Sequence, residues 1–395
     1  CPTLQLPPPK GPRLASEHGS NLSSNFTPNR VTSQRHSTQT ALNAYIEKIW
    51  ASKYVTNHGP FSLELENRLG ALLHVPTAKL FNNATIGLLV ALKLFELPPG
   101  SEVITTPMTF AATAHSIAWN NLRPVFVDIK EDDLTIDPEA VELAISPRTS
   151  AILGVHVYGC ICDHGALQRL ADLHGLKLIY DAAHAFGAYW NGCPVASLGH
   201  ASVFSFHATK LFNTLEGGLV TTNRREDQER IYLLRNFGIK NEEEVVSVGI
   251  NGKMNELQAA IGLLNLDIFE GEREKRKGLR QRYRQVLGGL NGVLLQEVAE
   301  HITQSEQYLL VRIDQEKSRL NRDELKERLA KKRIFARKYF YPICTDYEPY
   351  RNMPIISKRA RPYAQVAKHQ VLCLPFHSGV TEAHLDLVAA VFQAC

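Results

Sequence analysis

Short apolar runs alternate with amphipathic stretches through the middle of the chain. Lys79–Phe81, Glu102–Thr105, Arg123–Val127, Ala151–His156, Lys177–Tyr180, Ser202–Ser205 and Gly218–Thr222 are short, rich in β-branched or aromatic residues, and predict strands. Between them Thr85–Phe95, Ala111–Asn120, Asp137–Ile145 and Asp163–Gly175 read as helices. Strands alternating with helices predict an α/β fold with a mostly parallel sheet covered on both faces. Ligands of such sheets bind at the carboxyl ends of the strands. Two helices precede this region, Ala41–Trp50 and Pro60–Leu73, the second with Phe61, Leu65, Leu69 and Leu72 at helical spacing.

A charged helix, Met254–Gly278, leads away from the sheet. Beyond it come a strand at Gln307–Ile313, a helix at Asn321–Lys332, extended stretches at Ala336–Tyr341 and Val371–Leu374, and a closing helix at Thr381–Gln393. The expected organisation is a disordered tail at 1–38, rich in Pro, Ser, Asn and Thr, a large domain at 39–270, and a smaller α+β domain at 271–395.

Composition narrows the function. A net charge of +4 over 395 residues lacks the basic excess of a nucleic-acid binder. The clearest basic run, Arg273–Arg284, includes Glu274 and follows Glu272, and reads as a solvated helix face. No apolar run approaches the ~18 residues of a membrane helix. Seven scattered cysteines fit a reducing compartment better than a disulfide scaffold, so a cytoplasmic location is expected. Cys160 and Cys162 lie too close together for a zinc half-site, and no metal is expected.

Two residues stand out chemically. Asp181 follows the apolar strand Lys177–Tyr180, where it is either a functional carboxylate or the N-cap of a helix. Lys210 follows the strand Ser202–Ser205, in a polar loop that ends at Gly217–Gly218. A lone lysine is ordinarily a surface residue. Together, however, they match what pyridoxal phosphate requires: an amine for a Schiff base and a carboxylate to keep the pyridine nitrogen protonated. Asn82–Thr85 opens a helix after a strand, offering backbone donors to a phosphate or merely a cap by Asn83. Phe110 can cover a cofactor face or pack in the core. The loop Asn57–Pro60, Tyr341 and His377 are candidates for substrate contact, with packing or solvent contact as the plainer reading.

An ordered series of blocks makes the resemblance specific. These are Tyr54–Pro60, Pro107–Thr113, Pro124–Asp128, Asp181–Gly187, Ser205–Lys210 with Glu216–Gly218, and Gly249–Met254. From about Tyr45 to its C-terminus the chain resembles the DegT/DnrJ/EryC1/StrS family of nucleotide-sugar aminotransferases. Phe81–Asn83, His184–Gly187 and Ile250–Met254 look like the branch that forms dTDP-4-amino-4,6-dideoxyglucose. The resemblance implies the aspartate-aminotransferase (type I) fold and pyridoxal 5'-phosphate as cofactor. It implies that Lys210 holds the cofactor covalently and Asp181 pairs with the ring nitrogen. His184 should bond the ring hydroxyl and Phe110 should stack on the ring. Ala84, Thr85 and Ser205 should bind the phosphate, joined by Asn251 of a second subunit in a homodimer. Asn57, His58, Tyr341 and His377 are the candidate substrate contacts. The expected reaction aminates C4 of a dTDP-linked 4-keto-6-deoxy sugar, with L-glutamate as donor. The family usually has glycine at the position of Ala84, and its usual N-terminal start is not matched by the tail. Amination at C3, dehydration of the sugar, and a non-catalytic sensor remain open as alternatives. A dinucleotide-binding dehydrogenase would need a glycine-rich turn that Asn82–Thr85 lacks.

Overall fold

The structure is a computed structural model that describes residues 29–30 and 39–393. The expected tail at 1–38 lies outside the described residues, apart from Asn29–Arg30, which pair in parallel with Ile334–Phe335.

The sheet has eight strands in the order Ile355–Ile356, Arg123–Val127, Glu102–Thr105, Thr149–Val155, Lys177–Asp181, Ala201–Ser205, Gly218–Thr222 and Thr77–Phe81. Pairing is parallel from the first strand through Ala201–Ser205, and Gly218–Thr222 runs antiparallel to both its neighbours. The central strands Glu102–Thr105 and Lys177–Asp181 are nearly free of exposed positions because helices cover both faces. The sheet is mostly parallel with helices on both faces, the α/β architecture that the alternation predicts. The helices between the strands begin at side-chain caps: Asn83 accepts from Ile86 N, Asp137 from Glu139 N, and Asp163 from Ala166 N.

Among the α-helices, Asp227–Arg235 and the short Tyr363–Ala367 were not anticipated. Asp227–Arg235 is so polar that it shows little apolar stripe, yet it buries Asp227, Ile231 and Arg235. Another is longer than its expected span. Glu256–Leu287 is one helix of 32 residues, started by a capping box between Asn255 and Gln258. Gly278 sits in it with open space around its Cα and does not end it. The reason is packing: Leu263 belongs to the core under the large sheet, while Tyr283 and Leu287 belong to the core of the C-terminal sheet. The division expected at 270/271 therefore falls inside a continuous helix.

The C-terminal sheet is antiparallel, in the order Val293–Leu295, Leu309–Ile313 and Val371–Leu374. Arg322–Lys331 and Glu382–Phe392 pack on it through Leu325, Leu329, Val388 and Phe392. A segment of this half also returns to the large sheet: Ile355–Ile356 pairs with Phe126–Val127. Next to it Asp128 is fully buried. Its oxygens accept from Ser357 Oγ at 2.7 Å, Tyr363 N at 2.8 Å and Ala364 N at 3.0 Å.

Candidate active site

The carboxyl ends of the sheet strands open on a cleft of about 350 Å³. Asp181 ends one strand and Ser205 the next, and Ala84 and Phe110 each begin a helix soon after a strand. Ala84, Thr85, Phe110, Asp181, His184, Ser205 and Lys210 all line this one cleft.

Asp181 is 5% exposed. Its Oδ2 accepts from the Thr113 hydroxyl at 2.7 Å and its Oδ1 from Ala183 N at 3.1 Å. No helix follows it, so the capping reading does not hold. Burial pushes its pKa up, against the opposing pull of those two bonds and of Lys210. The Lys210 amine is driven the other way: burial lowers its pKa to about 8, and Asp181 only partly restores it. Lys210 Nζ lies over the Tyr308 ring, 5.6 Å from its centroid.

His184 is buried, and the desolvation holds its pKa well below the usual value, so the ring is neutral. Its Nδ1 accepts from Tyr158 N at 3.1 Å, which leaves the proton on Nε2. Phe340 stacks on the imidazole at 5.9 Å and 8°. Phe110 is 62% exposed, which excludes the core reading and presents its ring to the cleft. At the helix start Asn83 is the cap, and it leaves the first-turn amides of Ala84 and Thr85 without intrahelical acceptors. Gly218 presses on that start: a Cβ there would lie 2.7 Å from Ala84 N.

These features fit pyridoxal phosphate. A buried carboxylate has no cation within ion-pairing distance among the described residues. An amine is primed to lose its proton, helix amides are free for a phosphate, and a bare aromatic face looks into the cavity.

Other predicted residues lie elsewhere. His58 bonds Glu66 at 2.9 Å, and Asn57 is exposed with its carbonyl facing Tyr54 Oη; neither lines the cleft. Tyr341 packs against Lys338 and Arg322, with their cations 4.7 Å and 5.1 Å from its ring, because the chain turns at Tyr339–Phe340. It is Arg337, Tyr339 and Phe340 that reach the cleft. His377 is buried, and its Nδ1 accepts from Gly379 N at 3.1 Å. Asn251 is exposed and bridges to Asn236, outside the cleft of its own chain. Sequence reasoning missed Thr113 and Tyr308. Thr113 stood within the quoted block Pro107–Thr113, whereas Tyr308, in an apolar stretch, carried no local signal.

The model of the DegT/DnrJ/EryC1/StrS aminotransferase family matches residues 36–393. The chain belongs to this family. It is 42% identical to a dTDP-4-amino-4,6-dideoxy-D-glucose transaminase of Escherichia coli, over 86% of this chain and 91% of that protein. The Shigella dysenteriae transaminase of the same name is 41% identical over 88% and 94%. Among solved structures, DesI determined in the presence of its TDP-sugar product superposes with a TM-score of 0.86 at 37% identity, covering 94% of this chain and 93% of that one. Helicobacter pylori PseC, an aminotransferase of pseudoaminic acid biosynthesis, superposes with a TM-score of 0.84 at 28% identity, over 93% and 98%. As a member of the DegT/DnrJ/EryC1/StrS family the chain is a pyridoxal-phosphate-dependent aminotransferase. Among the described residues no helix is long and apolar enough to cross a membrane.

Proposed function

We propose that this enzyme aminates C4 of a dTDP-linked 4-keto-6-deoxyhexose, with L-glutamate as amino donor. The observation that carries this reading is the 42% identity to the E. coli transaminase over nearly the whole of both chains, together with a cleft that keeps Lys210 and Asp181. Bound here, pyridoxal phosphate would supply the electron sink and the amino-group carrier that transamination needs. In this reading Lys210 holds the cofactor covalently at rest and, once released, moves a proton through Nζ. A pKa of about 8 suits an amine that must both accept and give that proton near neutral pH. Asp181 keeps the ring nitrogen protonated, and its two existing donors aim the carboxylate. With the cofactor bound, His184 would offer its Nε2 proton to the ring hydroxyl, Phe110 would cover one face, and the amides of Ala84 and Thr85 with Ser205 would hold the phosphate.

Assembly is part of the proposal. Asn251 of one subunit completes the phosphate site of the other in a homodimer. Its exposure, and the exposed apolar side chains of Phe237, Val245, Val246 and Val248 on the same segment, support a covered surface there. Mixed dimers of Lys210→Ala and Asn251→Ala chains should regain activity, since one of the two sites is then whole; no regain after proven subunit exchange refutes the shared site.

The reaction is tested by offering dTDP-linked 3-keto and 4-keto 6-deoxy sugars in competition, with glutamate, and reading the product by NMR. The amine is expected at C4. An amine at C3, or a dehydrated product, overturns the regiochemistry.

A further inference from the structure

The basic run Arg273–Arg284 is more than a solvated face. Arg273, Lys277, Arg280 and Arg284 are spaced by four, three and four residues, so they form one stripe along the long helix. The stripe is one wall of a groove of about 330 Å³, and the segment from Val298 to Glu306 is the other. That volume lies in the range of small-molecule sites. The lining holds these four cations and one carboxylate, Glu306, which bonds Arg280 Nε at 2.8 Å. Glu270 and Glu274 stand 3.5 Å from Arg273 and 3.6 Å from Lys277, but both are well exposed and offset little charge.

A second observation points to an occupant. Gln304 is 8% exposed and lines the groove, and its Oε1 has no donor among the described residues. A buried acceptor without a donor is costly, and because Oε1 itself is closed off, a donor in the groove reaches it when the Gln304 side chain turns toward the opening. Cations call for phosphate oxygens, and Gln304 calls for a hydroxyl beside them.

The groove is linked to the cofactor cleft by a short chain of contacts. Arg280 Nη2 donates to the carbonyl of Tyr308 at 2.9 Å, and the Tyr308 ring underlies Lys210. Between Gln304 and Tyr308, Ser305 Oγ donates to the carbonyl of His184 at 2.6 Å. Gln307 accepts from Leu211 N at 2.7 Å and donates to the carbonyl of Thr209 at 3.3 Å, bracketing Lys210.

We propose that this groove is a regulatory site for a hydroxyl-bearing phosphorylated small molecule, a sugar phosphate in chemical class, and that its occupancy is coupled to Lys210 through Arg280 and residues 304–308. Phosphate oxygens compete with Glu306 and the Tyr308 carbonyl for Arg280. The segment that seats His184 and Lys210 shifts as Arg280 turns toward the ligand.

The test uses the cofactor-loaded enzyme, titrated by calorimetry with glucose 1-phosphate at constant ionic strength, with sulfate as the comparison. Saturable binding is expected in the unaltered enzyme, and the circular dichroism of the bound cofactor should change as the site fills. Affinity should fall at least tenfold in Lys277→Glu/Arg284→Glu and several-fold in Gln304→Leu, with sulfate binding more weakly than the sugar phosphate. Lys277→Gln alone, a change at an exposed position, should give a smaller loss and guards against misfolding of the double variant. Equal affinity in the charge-reversed enzyme, no saturable heat at millimolar ligand, or equal binding of sulfate overturns the site. Saturable binding that leaves the cofactor signal unchanged overturns the coupling.

Discussion

Two buried carboxylates show how differently this chain treats charge. Glu66 is 4% exposed and Asp181 5%. Glu66 is surrounded: Arg235 Nη1 stands 2.6 Å from it, His58 Nε2 2.9 Å, Lys79 Nζ 3.0 Å and Leu80 N 3.0 Å. Although burial alone would raise its pKa, these partners, Arg235 foremost, hold it far below the usual carboxylate range. Asp181 has a hydroxyl and one amide, with no cation in ion-pairing distance among the described residues, and its pKa rises. The first is a completed structural cluster. The second keeps an electrostatic demand that a cationic ring nitrogen can meet. Burial marks neither as functional; what separates them is whether the protein itself supplies the counter-charge.

Four changes probe that contrast. Lys210→Ala removes the cleft's own amine and should lower turnover by on the order of 10⁴-fold; borohydride should then fix no cofactor to the protein. A labelled peptide containing another lysine would refute the assignment. Glu66→Ala strands Arg235 in the interior and should lower unfolding free energy by about 3–5 kcal/mol, read by denaturant titration. The same residue gives a pH signature. Its folded pKa lies below an unfolded value of ~4.3, so its contribution is complete above that value and is lost as pH falls beneath it. Unaltered protein should therefore lose stability more steeply than Glu66→Gln as pH falls below about 4.3, with the difference still growing toward the low folded pKa. Parallel curves would show that the cluster does not hold Glu66 ionised.

Asp181→Asn should fold normally and lose on the order of 10²-fold in kcat, the usual effect of removing one positioned electrostatic partner. Near-normal turnover would sink the role given to Asp181. The smallest effect concerns Lys210 in the cofactor-free protein. With its pKa lowered to about 8, the neutral amine should grow about tenfold between roughly pH 7 and 9, and the rate of covalent cofactor capture should rise with it. Stopped-flow absorbance measures this, and a rate that keeps rising steeply to about pH 10, near the ordinary lysine value, would show that burial does not shift the amine.

Seven of the eight strands of the sheet were legible because they are short, apolar and mostly separated by helices whose caps are written locally, as at Asn83, Asp137 and Asp163, whereas the two-residue edge strand Ile355–Ile356 was not. Residues that a strand end delivers to the cleft, such as Asp181 and Ser205, were legible for the same reason. What arrives from far along the chain was not. Arg337, Tyr339 and Phe340 enter the cleft from a segment whose path depends on packing against the large sheet, and reading Ala336–Tyr341 as simply extended does not single them out. The helix Asp227–Arg235 escaped notice because its burial comes from contacts by Ile231 and Arg235, not from an apolar stripe. His58 sits in a recognised block, but its ring is committed to Glu66.

The return of Ile355–Ile356 to the large sheet bears on how this enzyme can be recombined with its relatives. A crossover placed at the long helix would exchange the donors around Asp128 for those of another parent, since Ser357, Tyr363 and Ala364 all lie on the C-terminal side. A chimaera would then carry a buried carboxylate from one parent and its hydrogen-bonding shell from the other. Inheritance units in this fold are thus discontinuous in sequence: the stretch from Ile355 to Ala364 travels with the first half of the chain, and a functional graft of the C-terminal half leaves that stretch behind.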